Sequence, residues 1–128
     1  MIKAIVDTSV LIARETGRAI HTRSLPDALA VSVVTIGELR AGVLAADDVD
    51  IRDRRLSTLL GALLLDPLPV DILVAEAWAR LREELRVRGK RMPVNDSRIA
   101  ATAIAHAIPV VTQDDDYAEV PGLAVIRV

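Results

Sequence analysis

Acidic side chains in four separate stretches of the sequence are the residues best suited to chemistry. They are Asp7 after IKAIV, Glu38 in TIGELRAG, Asp96 in NDSRIAATA and Asp114 in VTQDDDY. Two ionised carboxylates about 4 Å apart repel by roughly 4 kcal/mol at an effective dielectric of 20. If the fold gathers these acids, each raises the pKa of the others unless a cation lies among them. Oxygen-only ligands favour Mg²⁺ or Mn²⁺ over zinc, and such an ion supports phosphodiester hydrolysis.

Each acid also has an ordinary structural explanation. Asp7 is a good N-cap for a following helix, and Glu38 could close a capping box with Thr35. Asp96 fits an N-cap or a first-turn acid favoured by the helix dipole. The acids at 114–116 could form a solvated turn, and for Asp115 this is the interpretation we expect. Capping explains acids at helix starts, but it does not predict their gathering at one edge of one sheet.

Hydroxyl side chains accompany two of these acids. Thr8, Ser9 and Thr112 could orient carboxylates or waters around a metal, although they suit local caps equally well. The two histidines are expected to be ordinary, with His21 in a polar loop and His106 near the end of a helix.

Composition limits the class of protein. The 128 residues are 52% hydrophobic and 27% charged, which is typical of one globular domain, and the absence of cysteine excludes disulfides and thiolate sites. A net charge of −2 does not indicate nucleic-acid binding by bulk charge, and a chain whose only aromatic residues are Trp78 and Tyr117 disfavours a stacking platform. The N-terminal apolar run is too short for a signal peptide, and no stretch reaches the ~18 residues that cross a bilayer. We therefore expect a soluble, cytoplasmic protein without a membrane segment.

Short β-prone runs alternate with helical patterns along the whole chain. Strands are predicted at 2–6, 29–34, within DPLPVD (66–71), at 109–112 and at 123–128. Helices are predicted after Asp7, over TIGELRAGVLAA, after Asp47–Asp48, at 72–88 before Gly89, and at 95–106. This order predicts one α/β domain over 1–128, a three-layer sandwich with a mostly parallel sheet of four or five strands and helices on both faces. Ligands of such sheets bind beyond the carboxyl ends of the strands, where three of the four acids fall.

Four stretches together resemble a known family. VDTSVLIA (6–13), TIGELRAG (35–42), NDSRIAATA (95–103) and VTQDDDY (111–117) are similar to the four motifs of the PIN domain, and most similar to those of the VapC-type toxins of bacterial toxin–antitoxin pairs. The motifs occur in the family's order and span nearly the whole chain. The stretch 45–90 carries no family signature beyond its helical pattern.

The resemblance implies an endoribonuclease dependent on Mg²⁺ or Mn²⁺. Its acids would be Asp7, Glu38, Asp96 and Asp114 as catalytic residues and metal ligands, with Asp116 as a lesser ligand or water-holder. A water would attack an RNA phosphate in line and leave 5′-phosphate and 3′-hydroxyl ends. The family also implies a cognate VapB-like antitoxin and a homodimer. Leucines at helical spacing offer suitable apolar material, although a core helix looks the same: Leu56, Leu59, Leu60 and Leu63.

Basic residues are densest in RLREELRVRGKR (80–91). We predict that its later part flanks the acidic pocket and neutralises RNA phosphates. A solvated helix face with ion pairs such as Glu84–Arg88 is the alternative, and it is favoured before residue 86. The predicted RNA contacts are Arg86, Arg88, Lys90 and Arg91, and a weaker second group is Arg52, Arg54 and Arg55.

Two other functions fit a small α/β protein. A phosphoacceptor receiver domain also has an acidic Mg²⁺ pocket, but it needs paired acids after the first strand and a lysine after a late strand. Here Asp7 stands alone after the first strand, and the last strands carry no lysine. A PIN fold that binds RNA or protein without cutting is the second alternative, which the presence of all four acids disfavours.

Overall fold

The computed structural model describes residues 3–128, and within them a single five-stranded sheet forms the centre of the molecule. All neighbouring strands pair in parallel, in the order β3-β2-β1-β4-β5. The predicted α/β class and parallel sheet are confirmed. The strands are β1 (Lys3–Val6), β2 (Ala28–Ser32), β3 (Pro67–Leu68), β4 (Val110–Thr112) and β5 (Val125–Arg127).

Five α-helices connect the strands of the described residues, together with one short 3₁₀ turn at Thr22–Ser24. Aspartate side chains cap two of them: Asp48, at the predicted helix start, accepts from the Ile51 N–H at 3.0 Å, and Asp71 accepts from the Val74 N–H at 3.0 Å. The helices are α1 (Thr8–Thr16), α2 (Val33–Ala45), α3 (Val49–Leu63), α4 (Ile72–Val87) and α5 (Val94–His106). No helix within 3–128 combines the length and apolarity that crossing a bilayer requires.

The two faces of the sheet bury different side chains because strand residues alternate in direction. Ile5, Ala30 and Val110 pack in one cluster with residues of α4 and α5. Val6 and Val111 lie in the other cluster, with residues of α1. Helices therefore cover both faces, as the predicted three-layer sandwich requires.

Several predicted boundaries differ from the structure. The second strand ends at Ser32 instead of residue 34, because the Ser32 hydroxyl accepts from the Val34 N–H at 3.0 Å and begins α2 there. The predicted capping box of Thr35 and Glu38 is therefore wrong, since both residues lie inside the helix. Residue 2 of the first predicted strand lies outside the described residues.

The carboxyl ends of β1 and β4 form the switch point of the sheet. From β1 the chain adds β2 and β3 on one side, and then returns to add β4 and β5 on the other. Connections that leave in opposite directions open a crevice at this edge, where α/β proteins bind ligands. Asp7 follows β1 directly, and Asp114 comes two residues after β4.

Candidate active site and metal centre

Asp7 is buried at the end of β1 and is held by three hydroxyl groups. Only 1% of the residue is exposed. Its Oδ2 accepts from Ser9 Oγ at 2.7 Å and from Thr112 Oγ1 at 3.0 Å, and its Oδ1 accepts from the Tyr117 hydroxyl at 2.9 Å. Although Asp7 occupies the N-cap position of α1, its side chain makes no capping hydrogen bond. The capping explanation is therefore wrong for this residue.

Two of these hydroxyls are themselves fixed by the backbone after β4. The Gln113 N–H donates to Ser9 Oγ at 3.2 Å, and the Asp114 N–H donates to Thr112 Oγ1 at 3.0 Å. Each hydroxyl accepts one hydrogen bond from a backbone N–H and donates one to the Asp7 carboxylate. The start of α1 and the loop after β4 are thus tied together around one carboxylate.

Glu38 is half-buried and is held by a separate pair of hydroxyls. Thr8 Oγ1 donates to Glu38 Oε1 at 2.9 Å and lies 2.9 Å from Thr35 Oγ1. Because Thr8 has a single hydroxyl proton and donates it in the hydrogen bond to Glu38, Thr35 is the donor in the second contact. Thr8 directly follows Asp7 in the chain, so this network holds Glu38 close to Asp7 at the start of α1.

Three further acids lie close together at the same edge of the sheet. Carboxylate oxygens of Asp96, Asp114 and Asp116 lie within 4.8 Å of one another. The first two side chains are half-buried and the third is exposed. Asp96 and Asp116 share a side-chain hydrogen bond, but within residues 3–128 no hydroxyl, backbone amide or cationic side chain donates to any of the three carboxylates. Asp96 lies in the first turn of α5, whose N-cap is Pro93, so it is a first-turn acid and not an N-cap.

Repulsion among these acids shows in their protonation. Burial, followed by the charge of Asp7, the side-chain hydrogen bond with Asp116 and the charges of Asp116 and Asp114, raises the pKa of Asp96 to about 7. Burial and the charges of Asp7 and Asp116 likewise raise the pKa of Asp114, against the lowering effect of Arg18 and Arg127. A group of carboxylates that binds protons near neutral pH also suits a divalent cation, and an all-oxygen set fits Mg²⁺ or Mn²⁺.

Comparison with known proteins identifies the family. The family model described as PIN domain matches residues 4–123. The chain belongs to the PIN-domain family. It is 48% identical over 124 residues to Ribonuclease VapC5 of Mycobacterium tuberculosis, covering 97% of this chain and 92% of that protein. It is also 48% identical over 126 residues to Ribonuclease VapC4 of the same organism, covering 98% and 97%.

A solved structure agrees with this assignment over the full length of the PIN domain. The crystal structure of VapBC-5 from Mycobacterium tuberculosis, a member of the VapBC family of toxin–antitoxin systems, matches with a TM-score of 0.91 and 44% identity, covering 100% of both chains. The predicted resemblance to VapC-type PIN domains is confirmed, and the receiver-domain alternative is wrong. The assignment of individual site residues stays a prediction that rests on the geometry above.

Asp115 lies apart from its acidic neighbours in the PIN domain. Its carboxylate pairs with Arg127 on β5, and its side chain is 89% exposed. Arg127 also donates to the Gln113 backbone carbonyl at 2.8 Å. Three consecutive acids thus divide between two environments, with Asp115 at the surface and the residues on either side in the acidic cluster.

Two residues of the site were missed by the motif-based prediction. Tyr117 is fully buried, and Asp7 together with burial raises the pKa of its hydroxyl, so it remains a proton donor to the carboxylate. Thr35 is fully buried and supports Glu38 through Thr8. The available signal for Tyr117 was an aromatic directly after an acidic run in a chain with only one other aromatic residue.

The basic segment after α4 contacts the loop that follows the acids. Lys90 pairs with Glu119, and Lys90 with a smaller effect from Arg88 lowers the pKa of that carboxyl. Arg86 pairs with Glu83, and the expected Glu84–Arg88 pair is not formed within residues 3–128. In the weaker group, Arg52 and Arg55 donate to the backbone carbonyls of residues 46 and 42, which gives both a structural role.

Proposed function

We propose that this PIN-domain protein is a Mg²⁺- or Mn²⁺-dependent endoribonuclease of the VapC type. The observation that carries the proposal is the acidic cluster of Asp96, Asp114 and Asp116 beside the buried Asp7, at the switch point of the sheet. Relatives that are 48% identical over nearly the full chain bear the name ribonuclease, which supports RNA as the substrate.

The metal would be held by the acidic cluster together with Asp7. Each oxygen of Asp7 keeps capacity for another contact after the hydroxyl hydrogen bonds, because a carboxylate offers about four lone-pair sites. Glu38 is proposed as the remaining catalytic acid, and Thr8 fixes its position. When bound, Mg²⁺ or Mn²⁺ would lower the pKa of a coordinated water and polarise a phosphate oxygen.

The chain's own contribution is to position these acids before RNA binds. Ser9, Thr112 and Tyr117 hold the Asp7 carboxylate in one orientation, so no reorganisation is needed during the reaction. In the proposed hydrolysis, a water attacks phosphorus in line, the bond from phosphorus to the 3′ oxygen breaks, and that oxygen takes a proton. The products carry 5′-phosphate and 3′-hydroxyl ends.

We also propose a VapB-like antitoxin as partner and a homodimer as the assembly. The antitoxin is supported by the likeness to a structure described as a toxin–antitoxin family member. Exposed apolar residues on α3 and just after it (Leu60, Leu63 and Leu64) are suited to a protein interface, while Leu59 is fully buried in the core. Light scattering at micromolar concentration should give the dimer mass, and a monomer mass would reject the homodimer. We expect a short reading frame beside this gene to encode the antitoxin, and co-expression of the two should yield a complex. Failure of the two proteins to form a complex would reject this partner.

A cleavage assay separates the proposed enzyme from a PIN fold that only binds. Purified protein is incubated with labelled single-stranded RNA and Mn²⁺ or Mg²⁺, with and without EDTA, beside an Asp7→Asn variant. We expect cleavage that requires the metal and is lost in the variant. Cleavage that survives both EDTA and the substitution contradicts the metal mechanism, and no cleavage by the parent with either metal favours the silent module.

A further inference from the structure

A basic cleft of about 500 Å³ lies between the C-terminal half of α4, the loop at 88–93 and the first turn of α5. Four cationic side chains line it and no acidic side chain does: Arg82, Arg86, Lys90 and Arg91. A second cleft of about 520 Å³, between α1 and α3, is lined by Arg14 and Arg54 but also by Glu15 and Asp53. The lining of the first cleft is therefore the more positive of the two, although Glu83 and Glu119 pair with two of its four cations from outside the lining.

Trp78, the sole tryptophan of the chain, forms one wall of this basic cleft in a fixed orientation. Its indole Nε1–H donates to Ser97 Oγ at 3.0 Å, and the Ser97 hydroxyl donates to the Val94 carbonyl at 2.5 Å. The Arg82 guanidinium lies 4.8 Å from the indole ring centroid. Indole and guanidinium planes are the surfaces on which unpaired bases stack.

The basic cleft shares structural elements with the acidic cluster. Val94 and Ser97, which line the cleft, lie in the same helical turn as Asp96. On the other side, Lys90 pairs with Glu119, three residues after Asp116. The basic cleft and the acidic cluster therefore share the first turn of α5, and the Lys90–Glu119 pair joins the cleft to the loop that follows the cluster.

We propose that the basic cleft binds one unpaired nucleotide of the RNA substrate next to the phosphate that is cleaved. The base stacks on Trp78 beside Arg82, and Arg86, Lys90 and Arg91 neutralise the adjoining phosphate. Exposed ion pairs such as Arg86–Glu83 and Lys90–Glu119 are weak, so phosphate contacts replace them at little cost. A duplex cannot offer an unstacked base to this wall, so the cleft selects single strands. This inference rests on the proposed ribonuclease function.

The nucleotide site is tested by measuring RNA binding separately from cleavage. In an Asp7→Asn background with EDTA, a labelled single-stranded RNA is titrated by anisotropy from about 50 to 200 mM KCl. Arg82→Ser combined with Arg91→Ser should weaken binding about tenfold and lower the salt slope by roughly 0.7, because of these two residues only Arg91 is assigned a phosphate contact. Arg14→Ser combined with Arg23→Ser removes the same charge from exposed residues outside the basic cleft and should leave affinity within about twofold. Thermal denaturation verifies that both double variants remain folded.

Intrinsic fluorescence gives a second readout without altering the cleft. Because Trp78 is the sole tryptophan, stacking of a base should quench the emission with the same Kd as the anisotropy. The proposal is overturned if the Trp78 emission is unchanged at saturating RNA, or if both double variants lose RNA affinity equally. It is also overturned if the Asp7→Asn parent does not bind RNA. Loss of antitoxin co-purification with unchanged RNA affinity assigns the cleft to a protein and also overturns it. Metal-dependent cleavage with an unchanged KM in the Arg82/Arg91 variant rejects the nucleotide site and leaves the ribonuclease standing.

Discussion

Asp7 and the acidic cluster lie at the same edge of the sheet, yet they differ in burial and in hydrogen bonding. Asp7 is 1% exposed and accepts hydrogen bonds from three hydroxyls. The carboxylates of Asp96, Asp114 and Asp116 lie within 4.8 Å of one another, and within residues 3–128 their one hydrogen bond is the one that Asp96 and Asp116 share. One carboxylate is therefore positioned by the fold, whereas mutual repulsion acts on the other three until a cation or a proton joins them.

This contrast divides the work of the site. In the proposed mechanism, the fixed acid would set the geometry of the reacting groups before the metal binds, and the acidic cluster would supply most of the negative charge that attracts the metal. Changes at Asp7 should therefore act on the rate through geometry, and changes in the cluster should act through metal affinity and protonation.

Lengthening an acid should be far more harmful at the fixed position than in the cluster. Asp7→Glu keeps the charge but adds a methylene to a filled site, which costs about 1–3 kcal/mol of stability and displaces the carboxylate from its three donors. We expect a loss of about a hundredfold or more in kcat, since a displacement of about 1 Å has that effect. Asp116→Glu, at an exposed residue, should remain within about tenfold of the parent. Equal losses of cleavage rate for Asp7→Glu and Asp116→Glu in single-turnover assays would show that the two positions do not differ in this way.

Removing one donor to Asp7 should give an intermediate effect. Tyr117→Phe keeps the buried ring and deletes only the hydroxyl that donates to Asp7 Oδ1. Losing the partner of a buried polar group costs about 1–3 kcal/mol of stability, and losing a group that orients a metal ligand lowers activity about 10- to 100-fold. Thermal denaturation and kcat at saturating Mn²⁺ measure the two effects. Parental kcat in a folded variant would show that the hydroxyl does not position Asp7.

The metal-free protein should lose stability as the pH rises through neutrality. Asp96 has a pKa of about 7 when folded and an ordinary value near 3.8 when unfolded, so the folded state binds the proton more tightly between these values. Stability contributed by the protonated form is full below about pH 4 and is lost by about pH 8. For this partly exposed side chain we expect about 1–2 kcal/mol after allowing for solvent screening.

The Asp96→Asn variant is compared with the parent to test this loss of stability at higher pH. The variant carries no titrating carboxyl at position 96, so its unfolding midpoint in EDTA should exceed that of the parent at pH 8 and change less between pH 5 and pH 8. Thermal denaturation at the two pH values measures the difference. Parallel pH profiles of parent and variant would contradict the repulsion attributed to the cluster.

Substitution of the surface acid should have the smallest effect. Asp115→Asn breaks only the exposed pair with Arg127, which is worth about 0–1 kcal/mol. We expect cleavage rates within about threefold of the parent, whereas Asp114→Asn, one residue earlier, should impair cleavage strongly. A large loss at Asp115 in the same assay would place it in the acidic cluster.

The fold was largely predictable because its signals are local. Apolar strand runs, the caps at Asp48 and Asp71, and the positive φ of 66° at Gly89 all follow from neighbouring residues. The edge of the sheet that collects Asp7 and Asp114 follows from the alternation of strands and helices. Local competition explains one error: Ser32 caps α2 three residues before Thr35, which has the same capping chemistry.

The division between fixed and clustered acids was not predictable because it depends on contacts distant in the chain. Tyr117 and Thr112 reach Asp7 across 110 and 105 residues. The exposure of Asp115 agrees with the expectation of a solvated turn, but its ion pair with Arg127 depends on β5 and could not be read from the run DDD. The basic cleft likewise forms only when Trp78 on α4 meets Ser97 on α5.

Calorimetric titration of Mn²⁺ into EDTA-stripped protein tests the central claim, a shared divalent ion at the acidic cluster, most directly. Three proteins are compared at neutral pH: the parent, Asp96→Asn, and Asp115→Asn as the control with the same loss of charge. The account predicts saturable binding with similar affinity in the parent and the Asp115 variant, and at least about tenfold weaker binding in the Asp96 variant. Equal Mn²⁺ affinity in all three proteins, or no binding by the parent, would contradict it.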